Sequence, residues 1–110
     1  YQMNKVLISI LCFFAASANG AGVYIVENAT VKSVANTSSN QDNFSISVEG
    51  GTGPCANKTI IFPRAATSSN EIFSRAYSTA LTAFASGHKV WVHNYSGDSC
   101  TNAAFIRVTK

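Results

Sequence analysis

The sequence predicts a mainly β, α+β domain. Five antiparallel strands form a barrel or a curved open sheet, with one helix between strands 3 and 4. Three observations predict it. β-Branched and aromatic residues concentrate in five stretches separated by Gly-, Asn- and Ser-rich turns. One segment, between Ser68 and Gly87, repeats apolar residues at spacings of three and four. Two cysteines, Cys55 and Cys100, stand 45 residues apart in the same part of the chain.

The strands come first. Val23–Val34 is rich in β-branched residues and reads as a long strand, with a bulge or bend at Glu27-Asn28. A polar loop, ANTSSNQ, follows. Asn43–Val48 alternates, with Phe44, Ile46 and Val48 on one face and Asn43, Ser45 and Ser47 on the other. EGGTGPCAN is a turn-rich link to the apolar strand Thr59–Phe62, which Pro63 stops. Lys89–Tyr95 and Ala103–Thr109 are the last two strands, joined through the turn Ser96-Gly97-Asp98.

The helix has recognisable ends. Ser68 and Glu71 fit a capping box, and Gly87 fits a left-handed cap. Ile72, Phe73, Ala76, Tyr77, Ala80, Leu81 and Phe84 make one face apolar. A helix inserted between the third and fourth of five strands is the OB-like arrangement, and an open sheet with the helix laid across it is the alternative.

The start of the chain reads as a secretion signal over residues 1–20, with Tyr1-Gln2 upstream of the true start at Met3. Lys5 supplies the positive charge. Val6–Ala16 is apolar but too short for a stable membrane span, which needs about 20 residues. Small residues allow cleavage after Ala18 or Gly20, and the second is preferred. Cys12 lies inside the apolar run, which argues against a lipoprotein. Residues 21–110 are then a single secreted or periplasmic domain. There, Cys55 and Cys100 are expected to pair. Loop-closure entropy makes such a bridge worth about 4 kcal/mol.

Charge excludes one class of partner. Lys5 leaves with the signal, so seven Lys/Arg face five Asp/Glu, without any basic cluster. Nucleic-acid binding is not expected. Five Asn-x-Ser/Thr sequons, at Asn28, Asn36, Asn43, Asn57 and Asn94, read as chance in an Asn/Ser/Thr-rich chain.

Two resemblances add to this reading. The segment Glu71–Tyr95 resembles the helix-to-strand segment of B subunits of the subtilase-cytotoxin and typhoid-toxin type. The match uses Ala76, Tyr77, Ala80, Leu81, Gly87, Val90 and Val92, and the segment is about a quarter of the chain. It implies an OB-fold subunit of a ring-shaped homo-oligomer that binds host-surface glycans. No sugar-binding residue carries over from it. Gly51-Thr52-Gly53-Pro54-Cys55, and the run from Asn94-Tyr95 through Cys100 to Lys110, resemble an uncharacterised family of small secreted bacterial proteins. That resemblance implies no activity.

The best candidate site is on the fourth strand. Trp91, His93 and Tyr95 alternate with Val90, Val92 and Asn94. If the valines face the core, an aromatic stripe faces outward and can stack on a sugar or anchor a protein. A partly buried Trp91 with His93 as its polar neighbour is the plainer alternative. The loop Glu49–Pro54 either approaches a ligand closely or makes a tight turn presenting Cys55.

Catalysis is not expected. Ser96, His93 and Asp98 are hydrolase residue types, but sequence adjacency does not bring them into a relay. Glu27, Asp42, Glu49, Glu71 and Asp98 supply carboxylates without a pairing signal. His88 and His93 lack ligands at metal spacing, so no metal and no cofactor is expected. The expected function is a non-catalytic binding module for a surface glycan or cell-surface protein. A structural or assembly protein of the envelope or extracellular matrix is the alternative.

Overall fold

The computed structural model describes residues 22–110. The signal reading of residues 1–20 lies outside the described residues. The chain runs β1 (Val23–Ala35), β2 (Asn43–Glu49), β3 (Thr59–Pro63), α1 (Asn70–Ser86), β4 (Lys89–Asn94) and β5 (Phe105–Thr109). The strands form one antiparallel sheet in the order β3-β2-β1-β4-β5.

β1 holds the sheet together. Its first half pairs with β4 and its second half with β2. Three register shifts fall on it, between Tyr24 and Val26, Val26 and Ala29, and Val31 and Ser33. Each adds a residue to β1 and bends it. Asn28, at φ 62°, sits in the second of these, where the break at Glu27-Asn28 was expected. As a result Ile25 and Val26, neighbours in sequence, are both fully buried.

The sheet is open rather than closed into a barrel. Closure would need a ladder between the edge strands β3 and β5, and none forms among the described residues. Instead Ile61 alone bridges toward β5. Its N–H donates to Cys100 O (2.8 Å), and its carbonyl accepts from Ala103 N–H (3.0 Å). Ala103 N–H is thus spent on Ile61 rather than on β4, and β5 begins at Phe105 rather than at Ala103. Beside it the expected Cys55–Cys100 disulfide forms, with its Cα atoms 5.8 Å apart.

The link into β3 is pressed against β1. Glu27 and Thr52 exchange two backbone hydrogen bonds, and Cys55 N–H donates to Ile25 O. Gly51 and Gly53 permit this approach. A Cβ on Gly53 would lie 2.6 Å from Ile25 O, and one on Gly51 2.5 Å from Glu27 O. The glycines therefore serve the turn that presents Cys55.

α1 packs across β1 and β5. Its buried residues are Ala76, Ala80 and Ala83, small enough for the helix to lie close to the sheet. Ile72, Phe73 and Tyr77 are half-buried at its margin, whereas Leu81 and Phe84 are exposed. The expected apolar face is thus rotated toward the alanines.

The helix also starts one residue later than the capping box predicts. Ser69 is the N-cap, its Oγ accepting from Ile72 N–H at 3.2 Å. The cause lies upstream. Thr67 Oγ1 donates to Arg64 O, and the Arg64 guanidinium bonds Thr67 O and Asn70 Oδ1. These bonds close a single 3-10 turn over Arg64–Ala66 and leave Thr67 extended, so the α-helix starts after it. Glu71 stays in the first turn, where a carboxylate suits the helix dipole. Gly87 caps the other end at φ 75°.

The core fills the space between sheet and helix. Phe44 stacks on Phe62 (4.5 Å, 6° between planes) and meets Phe73 and Tyr77 of α1. Ile25, Ile46, Ile60, Val90 and Val92 complete it, each at most 1% exposed.

Candidate binding face

β4 alternates as the sequence predicts. Val90, Val92 and Asn94 are buried, which turns Trp91 and His93 to the opposite face of the sheet. Both are half-buried, and Tyr95, just past the strand, is 63% exposed. The stripe therefore combines both expectations: it faces outward, and its first two members are partly covered.

What covers them is more aromatic surface. The ladder sets Tyr24 opposite His93 on one side and Phe105 opposite it on the other, with Arg107 opposite Trp91. Tyr24 meets Trp91 (5.5 Å), His93 (4.9 Å) and Phe105 (6.1 Å), each edge to face. His93 meets Tyr95 at 4.6 Å. The Arg107 guanidinium lies over the Trp91 ring, 4.5 Å from its centre. Well-covered contacts of this kind are worth about 0.5–1.5 kcal/mol and those of the exposed Tyr95 less, so the face is pre-organised around Tyr24, Trp91 and His93. Tyr24, Phe105 and Arg107 were not singled out in the sequence. Their signal was strand register, which single-strand alternation does not carry.

One group in this face is unsatisfied. His93 Nδ1 is buried and has no hydrogen-bond partner among the described residues. An unmade hydrogen bond of this kind costs about 1–3 kcal/mol. The contrast with Asn94, the next residue, is sharp. Asn94 is 1% exposed, yet Nδ2 donates to Ser99 O (3.0 Å) and Oδ1 accepts from Ser96 N–H (2.8 Å). It builds the β4–β5 turn, and its burial removes it as a glycosylation acceptor.

Other candidates are not brought together. Ser96 Oγ accepts from Asn102, and no hydrogen bond joins His93 Nδ1 to Ser96 or Asp98. Glu27 and Glu49 lie on different strands, Glu71 on α1, and Asp42 and Asp98 in separate loops. Glu49 pairs with Lys32 at 3.5 Å. Among the described residues no three His, Cys, Asp or Glu side chains group at metal-binding distance, and no helix is long and apolar enough to cross a membrane.

Comparison with known families matches the chain, over residues 4–110, to the family of unknown function DUF5992. The chain belongs to that family. This agrees with the resemblance to an uncharacterised family carried by Gly51–Cys55 and Asn94–Lys110. No curated protein and no solved structure matches the chain, and the toxin-subunit resemblance of Glu71–Tyr95 is not confirmed. In this DUF5992 domain the site therefore has to be argued from its own geometry.

Proposed function

We propose that this DUF5992 domain is an exported, non-catalytic docking module that holds a protein partner against its outer sheet face. One observation carries the reading: Tyr24, Trp91, His93, Tyr95 and Phe105 form a contiguous aromatic surface with Arg107. Tyr, Trp and Arg are the residues that dominate protein-binding hot spots. A protein suits the face better than a glycan does. A sugar stacks on an open ring face, whereas Arg107 already lies over Trp91 and the rings around Tyr24 meet edge-on. The disulfide and the signal pattern support action outside the cytoplasm.

Charge favours a partner other than a second copy. Arg107 belongs to the cluster and Lys89 adjoins it, its Nζ bonded to Thr30 Oγ1, while none of the clustered residues is a carboxylate. The matching surface is therefore acidic at its rim.

Photo-crosslinking tests this. A benzophenone-bearing amino acid replaces the exposed Tyr95 in the full chain, expressed in its native host. The expected result is one adduct whose mass differs from that of a homodimer, lost in Arg107→Glu and weakened by salt. An adduct of twice the chain's mass would replace the proposed partner with a second copy. Absence of any face-dependent adduct, or glycan binding abolished by Trp91→Ala, would overturn the reading.

A further inference from the structure

A groove of about 460 Å³ opens between the β1–β2 loop and α1. It shares no residue with the aromatic face. Its apolar wall is Phe73 and Tyr77, both seated on Phe44, which in turn stacks on Phe62. That wall is fixed by the core beneath it.

The facing wall is polar. Asn36, Asn40 and Asp42 supply it from the loop, and Ser74 and Ser78 add hydroxyls on the helix side beside Phe73 and Tyr77. The loop is fastened by its own bonds. Thr37 Oγ1 donates to Gln41 O (2.6 Å), and Ser38 N–H donates to Asn43 Oδ1 (2.7 Å). Ser39 and Asn40 are both held in the left-handed region, at φ 55° and 56°. They are the central pair of a β-turn of the primed type, closed by Gln41 N–H donating to Ser38 O (3.0 Å), which fixes the shape of the loop. Among the described residues, the side chains of Asn36, Asn40 and Asp42 take no part in the hydrogen bonds that fasten the loop.

We infer that this groove is a saccharide-binding site for a neutral sugar unit. An aromatic wall stacks on the apolar face of a pyranose. Opposed amides, hydroxyls and a carboxylate match the alternating donors and acceptors of its hydroxyls. The volume falls within the roughly 300–1,000 Å³ of small-ligand sites. Charge sets the class. Among the described residues Asp42 is the only charged group lining the groove, so sialylated, sulfated or phosphorylated sugars meet repulsion with no cation to offset it.

Saturation-transfer NMR on the purified protein tests this. The probes are methyl glycosides of glucose, galactose and mannose, N-acetylglucosamine, and sialyllactose, each at about 10 mM to reveal weak binding. Transfer to at least one neutral sugar is expected, and none to the sialic acid protons of sialyllactose, whose lactose part is neutral, with amide shifts confined to residues 36–43 and 73–78. Tyr77→Ala and Asp42→Asn should each weaken binding about tenfold, and Tyr77→Phe should retain it. Tyr77 also packs on Phe44, so Ser78→Trp, which fills the groove from an exposed position, gives a test independent of the core. It should abolish transfer, while Trp91→Ala should leave it unchanged. Failure of all neutral sugars, selective binding of sialyllactose, or shifts that map to Trp91 and Tyr95 would overturn the assignment.

Discussion

On the inward side of β4, Val90 and Val92 are fully buried, and the polar Asn94 beside them has partners for both ends of its amide. On the outward side, two strand residues stay half-buried, the next is 63% exposed, and His93 Nδ1 has no partner among the described residues. One strand thus presents a surface that folding requires and another that folding does not. The inward face follows the rules of a core, in which apolar groups are packed and polar groups are satisfied. The outward face keeps aromatic area in water and an unsatisfied imidazole nitrogen. The first is the surface the docking proposal rests on; the second is buried and is a cost to the fold.

The largest effect that bears on this contrast comes from the bridge behind the inward face. Cys55 is fully buried and joins the chain entering β3 to the chain entering β5. Replacing both cysteines, as Cys55→Ser with Cys100→Ser, should lower stability by about 4 kcal/mol, read as a fall in urea midpoint, with the slope rising because the denatured chain loses its cross-link. The open sheet makes the bridge matter, because among the described residues the backbone hydrogen bonds across that gap are the two of Ile61. A loss below about 1 kcal/mol would show that Ile61 and the core hold the edges without it.

The same region shows how far the sequence could be read. The five strands, the helix and the disulfide were legible, because periodicity, turn residues and cysteine count act locally. Barrel or open sheet was not, since the outcome depends on three extra residues in β1 and on what Ile61 meets across the gap. Periodicity also gave the helix an apolar arc without saying which part is buried. The alanines decided that, leaving Leu81 and Phe84 exposed. In the site, alternation placed Trp91 and His93 on one face. Tyr24, Phe105 and Arg107 joined them only through pairing between separate strands. The groove was illegible for the same reason, since its two walls come from a loop and a helix more than 30 residues apart.

A mid-sized effect separates Asn94 from its outward neighbours. Asn94→Ala leaves Ser96 N–H and Ser99 O without their partner, at a cost of about 2 kcal/mol by thermal or urea unfolding. Tyr95→Ala, one residue on, should change stability by about 0.5 kcal/mol or less, because the side chain is mostly in water. Equal losses at the two positions would erase the distinction between the turn that builds the fold and the ring that is free to bind.

The smallest effect has the opposite sign and is the most informative. His93→Phe keeps an aromatic ring between Tyr24, Tyr95 and Phe105 while removing the nitrogen that has no partner. If His93 were there for stability, the change would destabilise the domain. Because Nδ1 is buried and unpaired, the expectation is a neutral change or a gain of up to about 1 kcal/mol. The docking face should respond the other way. A phenyl ring has no counterpart of Nε2, the imidazole nitrogen that is not buried, so the crosslink from position 95 should weaken although the fold is at least as stable. A variant that is both more stable and fully competent in crosslinking would leave the imidazole without a role and reduce the outer face to its rings and Arg107. A variant that is more stable but loses its partner would place His93 among residues kept for binding at the expense of folding, as expected where function and stability compete.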